Sequence, residues 1–85
     1  MFEVIVKEKA EDTLNEICNE LAYQRRNVKR FHFILISPDV QLALLSVRAS
    51  NHFYIMRIEP NGKLYIAGVQ VLCTKDLDNG TCIIV

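Results

Sequence analysis

The stretch FHFILISPDVQLALLSVRAS, residues 31–50, carries the choice between fold types. Its first six residues are apolar at both alternating positions except for His32. That is the pattern of a central strand covered on both faces, or on one face plus an oligomer contact. The remainder admits two readings. Ser37 as N-cap, Pro38 at the first helical position, and Val40, Ala43, Leu44 and Val47 at helical spacing argue for a helix. Leu42 and Leu45 lie off that stripe, however, and the same residues also make a strand turned back on 31–36 through Pro38 and Asp39.

On the N-terminal side the period is unambiguous. From Lys9 to Arg26, Ala10, Leu14, Ile17, Cys18, Leu21 and Ala22 recur at three- and four-residue steps, which predicts an amphipathic helix over about 9–26. Acidic residues gather toward its start, and Arg25, Arg26, Lys29 and Arg30 follow at its end, the order the helix dipole favours. Asn27 is the candidate for a left-handed terminating residue, with Val28 folding back on the last apolar turn. Before the helix, Phe2, Val4 and Val6 alternate with Glu3, Ile5 and Lys7, predicting a strand.

On the C-terminal side HFYIMRI and LYIAGVQVLC flank EPNGK, which reads as a hairpin closed by a type I turn and a glycine bulge. Its register pairs Glu59 with Lys63 and places Tyr54, Met56 and Ile58 on one face with Leu64 and Ile66. The other face then carries Phe53, Ile55, Tyr65, Ala67 and Val69 beside Arg57. A second turn at LDNGT returns CIIV as a short final strand or edge. The resulting expectation is a single α+β domain over 1–85. One helix packs on an antiparallel or mixed sheet of four to five strands, and 38–50 is either a second helix or another strand.

Bulk properties narrow the function. An 85-residue chain has room for one modest core and no second lobe. Ten acidic and ten basic side chains cancel, so any electrostatic recognition is local. The opening MFEVIVKEKAED lacks the pattern of a signal peptide and no apolar run approaches the ~20 residues of a membrane span. The expected location is the cytoplasm, with no membrane partner. Cys18, Cys73 and Cys82 are too few and wrongly spaced for a disulfide framework or a zinc site, although Cys73 and Cys82 would face each other if the terminal strands formed a hairpin.

Four of the ten basic residues fall within 25–30. At 100° per residue Arg25 lies within about 20° of Leu14, in the middle of the apolar stripe. Either its long side chain snorkels past the core edge, or Arg25, Arg26, Lys29 and Arg30 form a charged rim around an anion such as a phosphate or a partner's carboxylates. Four cations without a stacking platform would give only weak, salt-sensitive nucleic-acid binding. His32 and His52 lack any spacing that brings them to a cysteine or to Asp39, the three glycines stand singly, and CIIV is a poor match to a prenylation box. No catalytic residue, metal site or cofactor is therefore expected. The sheet sequences carry more apolar surface than one helix covers, which points to a non-catalytic adaptor, inhibitor or regulator. Such a module would bind another protein, or itself as a homodimer, through a sheet face or the basic helix end. The alternative is an anion or nucleic-acid binder using the 25–30 cluster.

Overall fold

The computed structural model of the protein describes residues 1–27, 30–47 and 56–85. Its elements run β1 (Phe2–Glu3), α1 (Ala10–Gln24), β2 (Phe33–Ile36), α2 (Pro38–Val47), β3 (Met56–Ile58), β4 (Leu64–Ile66), β5 (Val69–Cys73) and β6 (Cys82–Ile84). The six strands form one mixed sheet in the order β1-β6-β2-β5-β4-β3, in which β2 and β5 are parallel and the other neighbours antiparallel. The radius of gyration, 11.8 Å, matches the ~12 Å of a folded chain this long.

Through their antiparallel neighbours β1, β2 and β3 all point the same way, so α1 and α2 are both crossover connections between parallel strands. Both steps advance in the same direction across the sheet. Crossovers are right-handed, because a right-twisted strand feeding a right-handed helix packs back only that way, and two such steps put both helices on one face. There Leu14, Ile17 and Leu21 of α1 and Val40, Leu44 and Val47 of α2 join Ile34, Ile36, Leu64, Ile66, Val69, Val71, Cys82 and Ile84 in a single core.

The 31–47 stretch resolves as strand then helix. Ser37 is fully buried, its carbonyl accepts the first helical bond from Gln41 N (3.1 Å), and Pro38 begins the helix. Val40, Leu44 and Val47 turn inward while Leu42 is 71% exposed, so α2 simply leaves that leucine in solvent. Residues 48–50 lie outside the described residues. The first helix is shorter at both ends than 9–26. Lys9 is its N-cap and Arg25 its C-cap. Neither Asn27 nor any other described non-glycine residue except Ala67 has a positive φ, so the expected left-handed stop at Asn27 is not formed; residues 25–27 close the helix as turns, with Asn27 N bonded to Gln24 O at 2.9 Å. The fold of Val28 falls outside the described residues.

The EPNGK hairpin forms as expected: Glu59 N donates to Lys63 O (2.8 Å), Gly62 N to Glu59 O (2.9 Å), and Gly62 takes φ 88°. Met56 and Ile58 face Leu64 and Ile66 in register, whereas Phe53, Tyr54 and Ile55 lie outside the described residues. The segment 64–73 is not one strand. Ala67 (φ 49°) and Gly68 (φ 84°) make a two-residue turn that closes on the Ile66↔Val69 pair, so β5 folds back beside β4 and the sheet reaches six strands rather than four or five. This reverses the place of Val69, which joins the core instead of lying beside Tyr65. The last strand is also not an edge. β6 inserts between β1 and β2, so Cys73 and Cys82 each pair with Ile36 from opposite sides. Two strand spacings, about 10 Å, then separate them, beyond disulfide reach, and all three cysteines are free.

Candidate functional site

With both helices on one face, the opposite face of the sheet carries no covering element among the described residues. Strand alternation decides what stands there. Ile34, Ile36, Ile66 and Ile84 are 0% exposed on the helix side, while their neighbours Phe33, Leu35, Ile83, Val85 and Leu72 lie on the open side, partly accessible, with Leu72 reaching 36%. None of these five belongs to the core cluster or packs against it.

The register orders them into two rows. Glu3, Ile83, Leu35 and Leu72 lie side by side on β1, β6, β2 and β5. One step beyond the Leu64↔Val71 pair, the same row continues to Lys63 and its partner Glu59. The adjacent row holds Val85, Phe33, Gln70, Tyr65 and Arg57. An apolar patch thus occupies β6, β2 and β5, with an acid on β1 and polar groups on β4 and β3. Within the polar flank Arg57 pairs with Glu59 (2.8 Å) and lies 5.4 Å from the centre of the Tyr65 ring. A patch of this form can bury aromatic and branched side chains of a facing protein surface.

The basic helix end is divided by the structure. Arg25, the C-cap of α1, is exposed, and its Nη2 donates to Ala67 O at 2.9 Å, tying the helix end to the β4–β5 turn. Burial raises the Cys18 thiol pKa, and the Arg25 guanidinium opposes that rise in part. Arg26 and Arg30 are exposed, and the ion pair found among the described residues does not involve them. Lys29 lies outside the described residues.

At the carboxyl end of β2, beside the turn that leads into β6, a polar junction forms. Ser37 Oγ donates to Asp39 Oδ1 (2.6 Å), Gly80 N donates to Asp39 Oδ2 (2.9 Å), and Thr81 N donates to Ser37 Oγ (3.2 Å). The Ser37 hydroxyl, followed by the Gly80 amide and its own local backbone amides, holds the Asp39 carboxyl below its ordinary pKa. These donors are used in tying the turn at 80–81 to the start of α2, so the cluster reads as a structural clasp.

His32 is exposed and its backbone N extends the sheet by bonding Val85 O (2.8 Å); His52 falls outside the described residues. Burial pushes the Cys82 thiol up to about 12, as suits a side chain packed in the core. Among the described residues no group of His, Cys, Asp or Glu is arranged to hold a metal, and no helix is long and apolar enough to cross a membrane. Two surface cavities lie outside the apolar patch of the open face, one of about 200 Å3 beside 3–6 and 80–82 and one of about 400 Å3 beside Lys9, Glu11 and Ser46. Compared with protein-family models, curated proteins and solved structures, the chain matches none.

Phe33, Leu35, Leu72 and Ile83 do not stand out as binding residues in the sequence. The signal that marks them is the two-sided apolarity of 31–36, but only the helix placement says which side is left open.

Proposed function

We propose that the protein is a non-catalytic interaction module of the cytoplasm, where sparse reduced thiols are at home, and that it binds a partner protein on the open sheet face. One observation carries this reading: five apolar side chains, Phe33, Leu35, Leu72, Ile83 and Val85, share the sheet side opposite the helices, where the described residues provide no cover. Binding there would remove them from water at ~25 cal/mol per Å2 of apolar area, while Glu3, Lys63 and Arg57 form a polar rim.

The experiment is site-specific photo-crosslinking in the native cell. A benzophenone side chain at position 72, on the open face, is compared with one at position 42, exposed on α2. Adducts at 72 that are absent at 42, and that disappear when Leu35→Glu is added, support the reading. Equal labelling at both positions, or none at 72, overturns it.

The anion-binding reading rests on a different observation, the exposure of Arg26 and Arg30 at the end of α1. Labelled RNA retention that falls steeply between low and moderate salt, and that is lost in the Arg26→Ala/Arg30→Ala variant, would favour it.

A further inference from the structure

The open face is self-complementary about one particular axis. Take β2 as the centre of the apolar patch: β6 and β1 lie one and two strands to one side, β5 and β4 one and two strands to the other. Two copies of a sheet face meet through a two-fold axis lying in the interface plane. An axis along the strands exchanges left and right; an axis across the strands sets each strand over its own counterpart.

The strand-parallel axis through β2 produces a consistent set of oppositions within one row. Leu35 meets the second copy's Leu35. Ile83, one strand to the left, meets the other copy's Leu72, one strand to the right, and the reverse. Two strands out, Glu3 on β1 meets the other copy's Lys63 at the start of β4, in the same row and with opposite charge. In the neighbouring row Phe33 meets Phe33, and Val85 meets Gln70. An axis across the strands along this same row would set Glu3 against Glu3 and Lys63 against Lys63. Between these two axes, charge favours the one along the strands.

We infer that the occupant of the open face is a second copy of this chain, stacked sheet on sheet about a two-fold axis along β2, with Leu35, Leu72, Ile83 and Phe33 at the centre and Glu3–Lys63 pairs at two edges. This rests on the reading of that face as a protein-binding surface and names the protein. The scale of the surface sets the strength of the pairing. Six strands at ~4.8 Å spacing and about four residues of strand length make a footprint of about 380 Å2, well below the ~800 Å2 per partner of a standard interface. The dimer is therefore a weak, concentration-dependent one, dissociating in the micromolar range or above.

Sedimentation velocity of the full chain from about 1 to 500 μM tests the assignment, with far-UV circular dichroism verifying that each variant is folded. Wild type should pass from monomer to dimer across that range. Leu35→Glu should remain monomeric. Glu3→Lys and Lys63→Glu should each weaken the dimer about fivefold or more, because each sets like charges at both symmetric edges. The Glu3→Lys/Lys63→Glu double variant should return to within about threefold of wild type. That rescue distinguishes a specific opposition from a loss of folding. A wild-type monomer throughout, or charge variants that do not rescue one another, overturns the two-fold arrangement. If the chain is monomeric while the crosslinker at position 72 still captures a different protein, the self-pairing fails and the reading of the face survives. Absence of both disposes of both.

Discussion

The turn at Ala67–Gly68 is the most exposed point of the fold's logic, because it creates the extra strand and bears a residue that resists the conformation it adopts. Ala67 has φ 49°, in the left-handed region, where its Cβ crowds the following carbonyl at a cost of about 1–2 kcal/mol. Asparagine tolerates this region and is favoured at the first position of such two-residue hairpin turns. Ala67→Asn should therefore stabilise the protein. The strain relieved is partly offset by disturbance of the Ala67 side chain, which packs against the edge of the core. A net gain of about 0.5–1 kcal/mol remains, equivalent to a rise in Tm of about 2–8 °C for a domain of this size.

Gly68→Ala is the converse perturbation. A Cβ added at Gly68 meets nothing within 4 Å, so any loss reports the backbone alone at φ 84°. It should cost about 1 kcal/mol once the reduced freedom of the unfolded chain is counted. Urea denaturation followed by circular dichroism, with m unchanged, measures both. Ala67→Asn that destabilises the protein together with Gly68→Ala that leaves it unchanged would refute a left-handed pair at 67–68. The six-strand topology would then fall with it.

Three further outcomes separate the parts of the molecule. Leu14→Ala, at a fully buried site, should cost about 2–5 kcal/mol, whereas Leu35→Ala on the open face should cost less than about 1 kcal/mol in the monomer; comparable losses in urea titrations would mean that the open face is packed. Asp39, held below its ordinary pKa of 3.8, contributes stability above that value and loses it as pH falls through the lower folded-state pKa. The stability gap between wild type and Asp39→Asn, read from melting curves, should accordingly narrow on acidification below about pH 4 and hold constant near neutrality. Finally, Ellman's reagent at about pH 8 should label Cys73 fast, Cys18 slowly, and buried Cys82 only after denaturation. Prompt reaction of all three in the native protein would contradict the placement of β6.

The local signals that survived into the fold are those with a short-range cause. The helix over 10–24 follows from its apolar stripe, the 58–64 hairpin from Pro60, Asn61 and Gly62, and the start of α2 from Ser37 and Pro38. The two-sided apolarity of 31–36 correctly marked β2 as an interior strand. The break at Ala67 was illegible because alanine rarely adopts a positive φ, and nothing in LYIAGVQVLC but Gly68 interrupts the strand pattern. In the basic cluster the helical period put Arg25 on the apolar stripe, but the helix ends at Gln24 and leaves Arg25 exposed, bonded to Ala67 O 42 residues away.

Amphipathic period, turn chemistry and composition are properties of neighbouring residues, and by themselves they settled an α+β domain, the identity of most of its elements and the set of apolar side chains available for a core. Strand order was decided only in three dimensions. That β6 slips between β1 and β2, that β5 lies parallel to β2, and that both crossovers land on one side are outcomes of pairing between segments far apart in the chain, chosen by handedness and by which sheet face each helix stripe covers. The open face follows from the same choice. Ile34 is buried at 0% beneath the helices, and the adjacent Leu35 is left on the other side: one residue of strand alternation separates the core from the open face.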